Sequence, residues 1–285
     1  MRSGAGRSLG ACLAAALLLA SSGGSRAAPA ASPLSYDRKA PLGLRDRGPV
    51  NHGYPIVVHD ISYASPRGGR VTAYVAVPPG HGPFPAVIYA HGSGGSRRDL
   101  LPDAVWMAAR GAVTMTIDDP FARNPQLENA SEARQLAALE QDVVDLRRAV
   151  DVLQSRADVD GRRIAFVGLS LGARVGAVLA GVEPRIEAFD LMSGRGAPLG
   201  EPALDELSGL HHAHARFFFQ LGRRDEIVPR PQLLALVNAA PKSKTVRWYD
   251  AGHVLDLAAE HDQLVWLSRQ LGLDGPIVAG ALPGP

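Results

Sequence analysis

The chain has 285 residues, enough to bury the core of one large domain or two small ones, and with 20% charged and 46% hydrophobic residues its composition is ordinary for a soluble globular protein. The formal net charge of +2 originates in the first 30 residues, which hold Arg2, Arg7 and Arg26 and no acid; without those three, 27 of the 30 basic residues face 28 acidic ones, a net of −1, so neither a nucleic acid nor an anionic membrane is indicated as a partner. The single cysteine, Cys12, lies in the same stretch, which leaves the remainder without a disulfide, a thiolate nucleophile or a cysteine metal ligand.

Residues 1–30, "MRSGAGRSLGACLAAALLLASSGGSRAAPA", run from arginines through an apolar stretch at 9–20 to small residues, with cleavage expected after Ala27 or Ala30. That order is a secretory signal peptide, and its apolar run is too short to span a bilayer. It predicts a secreted or periplasmic protein with no stable membrane insertion after cleavage. Residues 31–54 carry Pro, Gly and charge without periodicity and read as an arm or linker. The remainder divides into a catalytic-size domain at 55–272 and a flexible tail at 273–285.

From residue 57 onward, strand and helix signals alternate. Strands are predicted at 57–63 and 71–77, joined by the turn "SPRGG", and then at 84–90 ("FPAVIYA") and 112–117 ("AVTMTI"). Between the last two, "RDLLPDAVWMAARG" reads as a helix ending at Gly111. The clearest helix spans about 131–156, where Leu136, Leu139, Val143, Leu146, Val150 and Leu153 alternate spacings of three and four and form one apolar face. "DVDG" turns the chain into the strand "RIAFVG", followed by a further helix. More strands are expected at 186–192, 215–221 and 245–251, with helices near 231–240 and 256–271. This alternation predicts an α/β fold: a mainly parallel, eight-stranded sheet with helices on both faces.

Within this frame "GLSLG", Gly168 to Gly172, fits G-x-S-x-G with a strand before it and a helix after it. Such a turn strains the serine backbone and holds the Ser170 hydroxyl above the sheet edge. Gly172, Ala173, Gly176, Ala177 and Ala180 keep the next helix slim. A serine hydroxyl needs a base to take its proton. Asp225 stands just beyond the strand "RFFFQLG", and His253 in the loop beyond "TVRWYDA". The order Ser170, Asp225, His253 is that of a nucleophile, an acid and a base on such a sheet, with Glu226 as the alternative carboxylate. "HGSGG" at 91–95 follows a strand, and its backbone together with that of the residue after the nucleophile supplies candidate oxyanion donors at Ser93 and Leu171. His91 is expected to orient this loop. Asp118 and Asp119 read equally as turn or pocket residues. The "HHAH" histidines His211, His212 and His214 lack a matching ligand spacing, so no metal and no organic cofactor is expected.

"HGSGG", "GLSLG", "GRRDEIVP" and "DAGH" together resemble the α/β-hydrolase superfamily over about residues 55–272, most nearly its dienelactone-hydrolase-like branch, which also resembles acetyl-xylan-esterase-type and prolyl-oligopeptidase-type catalytic domains. The resemblance implies a serine esterase acting on a small-molecule or polymer-borne ester. Dienelactone hydrolases proper use a cysteine where this chain has Ser170, so lactone specificity is not carried over. Prolyl oligopeptidases carry a large propeller ahead of the hydrolase domain, for which about 25 residues are too few.

Residues 195–214 have room for one short helix and its turns, so no large cap domain is expected and short acyl groups are predicted as substrates. The rival readings are a serine peptidase or amidase, and a non-catalytic secreted binding protein on the same scaffold.

Overall fold

The computed structural model describes residues 32–50, 53–197 and 200–273; the expected signal segment, and the tail from residue 274, lie outside the described residues. In chain order the elements are β1 (Arg45–Val50), β2 (Val57–Ala64), β3 (Arg70–Val77), β4 (Phe84–Ala90), α1 (Leu101–Ala109), β5 (Val113–Ile117), α2 (Pro120–Arg123), α3 (Glu132–Gln154) and β6 (Val159–Leu169). They continue with α4 (Leu171–Val182), β7 (Ala188–Met192), α5 (Glu206–His212), β8 (Arg216–Gly222), α6 (Arg230–Ala239), β9 (Lys244–Tyr249) and α7 (Leu257–Gln270).

The described strands form one sheet of nine, in the order β1-β2-β3-β5-β4-β6-β7-β8-β9, rather than the eight expected. The additional strand, β1, comes from the segment read as an arm. Its sequence "RDRGPV" has no apolar alternation because it lies at the sheet edge, exposed along most of its length and paired with β2 alone. An edge strand buries no face of its own, and charge and Pro are tolerated there. The pairing slips between Asp46 and Pro49, where Gly48 takes φ 94° and donates its N–H to the Asp46 carboxylate at 2.7 Å.

β1, β2, β3 and β5 pair antiparallel in turn, and β5, β4, β6, β7, β8 and β9 run parallel. The parallel strands β4, β5 and β7 are almost wholly buried because helices cover both faces, whereas β9, at the sheet edge, is buried only in part. On one face Leu139, Val143, Leu146, Val150 and Leu153 of α3 join the large core cluster with Phe166, Phe189, Phe217 and Phe219 of the sheet. On the other, Leu100, Ala104 and Met107 near and on α1 pack with Leu264 and Leu267 of α7 over Val87, Tyr89 and Val167.

The connection out of β4 leads to β5 on one side, and the chain then crosses back to β6 on the other. The sheet therefore has its switch point at β4 and β6. Ligands of open α/β sheets bind in the crevice beyond the carboxyl ends of strands at such a point. Ser170 follows β6 and "HGSGG" follows β4, so both segments reach this crevice.

Candidate active site

Ser170 separates β6 from α4 with φ 55° and ψ −106°, a backbone conformation that costs a non-glycine residue about 1–3 kcal/mol. Its N–H donates to Met192 O at 2.8 Å, which anchors the turn to the end of β7. The flanking glycines are required by close approach. A Cβ on Gly168 would stand 2.4 Å from Gly172 O, and one on Gly172 would stand 2.2 Å from Ala90 O. The Gly172 N–H in turn donates to His91 O at 3.1 Å, so the serine turn and the loop after β4 are hydrogen-bonded to each other.

That loop passes directly over the serine: a Cβ on Gly92 would lie 3.3 Å from Ser170 Cβ. His91 is buried. Its Nδ1 lies 2.8 Å from Gly92 O, while its Nε2 accepts the Asp119 N–H at 3.3 Å. Both ring nitrogens are thus engaged with backbone groups of the turn, holding the loop rather than facing the cleft. Asp119 caps α2 through the Ala122 N–H at 2.7 Å, and Asp118 accepts from Thr72 Oγ1 at 2.6 Å and from the Arg97 N–H at 2.8 Å; both serve the turn.

Ser93, Ser170 and Leu171 line one cleft of about 240 Å³, together with Arg174, Arg195, Ile227 and Val228. Leu171 is the first residue of α4, where a backbone N–H has no acceptor one turn earlier, and the positive end of the helix dipole adds to it. The two candidate donors and the serine thus share a wall.

Asp225 and His253 meet: His253 Nδ1 is 2.9 and 3.1 Å from the two Asp225 carboxylate oxygens. The Asp225 side chain is 1% exposed and also accepts the N–H groups of Ile227 and Val228, each at 2.9 Å. Glu226, the alternative carboxylate, is exposed. The two loops are tied along their backbones, Arg223 N–H to Tyr249 O at 2.8 Å and Arg224 N–H to Ala251 O at 2.9 Å. A Cβ on Gly222 would come within 2.0 Å of Gly252 O, so Gly222 lets them close.

Sequence reasoning did not reach Ser193, which links the two halves. Fully buried at φ 49°, it donates its hydroxyl to His253 O at 2.8 Å and its N–H to Gln220 O at 2.9 Å. Its neighbour Met192 holds the Ser170 N–H, so the serine and histidine backbones are joined through two consecutive residues. Only the left-handed backbone marks Ser193, and no sequence pattern announces it. Arg174 and Arg195 were likewise not singled out. Arg174 pairs with Glu206 through contacts of 2.7 and 2.9 Å, and Glu206 is pushed above the usual carboxylate range first by burial, with Arg174 opposing.

A larger cleft, about 450 Å³, lies where β7 and β8 begin and includes His212, His214 and Arg216; it holds none of the candidate site residues and is at the amino ends of the strands, whereas Ser170 follows the carboxyl end of β6. His211 and His212 stack edge to face, and among the described residues no group of three or more His, Cys, Asp or Glu is disposed to hold a metal. Among them, too, no helix is long and apolar enough to cross a membrane.

The family described as "FrsA-like: Esterase FrsA-like" matches residues 49–195. The chain belongs to the FrsA-like esterase family. Esterase FrsA of Salmonella newport (strain SL254) is 31% identical over 139 residues, 47% of this chain and 31% of that protein. The mitochondrial acyl-coenzyme A thioesterase 2 of Mus musculus is 28% identical over 150 residues, 50% of this chain and 31% of that protein. The matches thus span about a third of the length of these curated relatives. Among solved structures, the acetyl xylan esterase from Paenibacillus sp. R4 superposes with a TM-score of 0.67 at 21% identity, covering 80% of this chain and 89% of that one. The dienelactone hydrolase from Anabaena variabilis ATCC 29413 gives 0.62 at 21%, covering 76% and 99%. Both likenesses carry the fold, a mainly parallel α/β-hydrolase sheet. The family is described as an esterase family.

Proposed function

We propose that this FrsA-like protein hydrolyses carboxylic esters of short acyl groups through a serine acyl-enzyme. The observation that carries the reading is the His253–Asp225 contact, made at Nδ1. With the Nδ1 proton directed at the carboxylate, Nε2 keeps its lone pair free to act as a base. Ser170 Oγ attacks the ester carbonyl carbon as its proton passes to His253 Nε2. The Ser93 and Leu171 N–H groups, at the same cleft, stabilise the oxyanion. Collapse of the tetrahedral intermediate breaks the bond to the alcohol oxygen, which takes the proton from His253. Water, deprotonated by His253, then attacks the acyl-serine and releases the acid and Ser170.

The experiment is active-site labelling with a fluorophosphonate, read by mass spectrometry on the intact chain. Stoichiometric modification at Ser170, lost in Ser170→Ala and slowed by a hydrolysable nitrophenyl acetate, is the expected result. A folded chain that neither labels nor turns over the ester overturns the proposal. The character of residues 1–30 supports a setting outside the cytoplasm, secreted or periplasmic. Recovery of a mature chain beginning at residue 28 or 31 from the extracytoplasmic fraction is the corresponding test.

A further inference from the structure

Two guanidinium groups stand at the Ser170 cleft, and they differ in one respect. Arg174 is neutralised within the protein by the fully buried Glu206. Arg195, half-buried, has no ion pair among the described residues, and its Nε is buried with no hydrogen-bond partner. A buried, charged donor left unpaired costs more than the gain from a typical hydrogen bond, and nearly all such groups in folded proteins find an acceptor.

The backbone on either side of Arg195 is tightly packed. A Cβ on Gly194 would come within 2.7 Å of Leu236 Cδ2 and 2.8 Å of Ala173 Cβ, and one on Gly196 within 2.6 Å of the Leu236 backbone nitrogen. The Gly196 N–H is bonded to Gln232 O at 3.1 Å. The "GRG" segment is thus clamped between α4 and α6, with Ala173 only three residues from the candidate nucleophile. An uncompensated guanidinium on a well-packed backbone, lining the cleft of an acyl-transfer site, is a fork for two acceptor oxygens of one sign.

We propose that Arg195 is a specificity residue that binds an anionic group of the substrate, so that the preferred ester bears a carboxylate or phosphate close to the scissile carbonyl. This rests on the serine-hydrolase reading of the same cleft and narrows its substrate class. The anion has two sources, the acyl part, as in a hemiester of a dicarboxylic acid, or the leaving group, as in the acetyl ester of a hydroxy acid. Both present two oxygens to the same fork.

The test has a turnover part with two arms and a binding part. In the acyl arm, kcat/KM is compared for mono-4-nitrophenyl glutarate and its methyl-capped neutral counterpart. In the leaving-group arm the pair is 3-acetoxybenzoate and its methyl ester. The expected result is a preference of at least about tenfold for the anionic member in one arm, which names the source. The ratio of the two rates should fall about tenfold in Arg195→Gln, be largely kept in Arg195→Lys, and shrink with rising salt.

The binding part titrates glutarate and inorganic phosphate calorimetrically into Ser170→Ala and into the Ser170→Ala/Arg195→Gln double variant, each checked for folding by its melting curve. Saturable binding of either anion to the first, at least tenfold weaker in the second, supports the proposal even where no ester is turned over. Turnover of neutral esters with no anionic preference in either arm and no anion binding overturns it while leaving the hydrolase reading standing. A preference that survives intact in Arg195→Gln overturns the assignment to this residue.

Discussion

The hydroxyl of Ser193 donates to the carbonyl oxygen of His253 at 2.8 Å, which ties the loop of the candidate base to the strand end beside the candidate nucleophile. Ser193→Ala removes this bond and leaves the histidine carbonyl oxygen without its side-chain donor. A hydrogen bond of this kind contributes about 1 kcal/mol, so kcat is expected to fall about five- to tenfold with KM little changed. Fluorophosphonate labelling should slow by the same factor at a temperature where both proteins are fully folded. Equal labelling rates in the two proteins would assign Ser193 to stability alone.

The Ser170 backbone stores strain that only its side chain repays. Ser170→Ala should lose about a million-fold in kcat, by analogy with other serine hydrolases, while keeping the φ 55° backbone. Ser170→Gly loses the same chemistry but adopts that backbone without a Cβ. Relief of about 1–3 kcal/mol, less about 0.5–1 kcal/mol of glycine's extra unfolded entropy, predicts a higher melting temperature for the glycine variant. Differential scanning calorimetry of the two inactive proteins decides it; an alanine variant as stable as the glycine variant would show that no strain is held there.

The parts of this molecule that the sequence announced are those with a repeating physical cause. The apolar face of α3 recurs because a helix lying on a sheet must bury one side, and β4 and β5 read clearly because both of their faces are covered. The glycines around Ser170 were legible because a close backbone approach excludes every other residue. β1 was not, since an edge strand paired on one side has no face to make apolar. Ser193 was not, because its partner lies 60 residues away and only the folded sheet brings them together. The unpaired Arg195 is visible only by contrast with the Glu206 that Arg174 has and it lacks.

Gly172 joins the serine turn to the loop after β4, and it has no room for a side chain. Gly172→Ala puts a Cβ 2.2 Å from Ala90 O, a backbone atom that cannot swing aside. Overpacking of this kind costs about 1–3 kcal/mol, and the shift falls on both candidate oxyanion donors at once. The expected outcome is a lower melting temperature together with a loss of kcat well beyond what the stability change alone gives. Thermal melts and steady-state kinetics at a temperature where both proteins are fully folded separate the two effects.

Stability should also respond to pH through Asp103 on α1. Burial, and then the charge of Glu260, push its carboxyl from the ordinary 3.8 up to about 7. Asp190, buried on β7, is pushed up as well, first by burial and then by the Asp103 charge. A carboxyl with a folded pKa above its unfolded value contributes fully below about pH 4, and its contribution is lost as pH rises through about 7. Asp103→Asn removes that dependence. The melting temperature of the variant minus that of the parent should therefore be more positive at pH 8 than at pH 5. A difference that is flat, or larger at pH 5, would mean that Asp103 is ionised at little cost in the folded protein.

The cleft itself limits the acyl chain. In segment 195–213 the described apolar side chains Leu204 and Leu210 are buried in the main core and Leu207 packs against it, so none is left to build a tunnel wall. The cleft instead offers Arg174 and Arg195 beside a small aliphatic surface of Leu171, Ile227 and Val228, with Ile227 68% exposed. Each methylene buried against a wall is worth about 0.8 kcal/mol, or about fourfold in kcat/KM. Without the wall, that gain should appear for the first few carbons and then stop. Nitrophenyl esters from acetate to dodecanoate, assayed below their aggregation limits, are expected to rise to about butyrate and level off or fall. A value that continues to climb fourfold per methylene through octanoate would require a wall that the described residues do not supply, and would end the open-cleft reading.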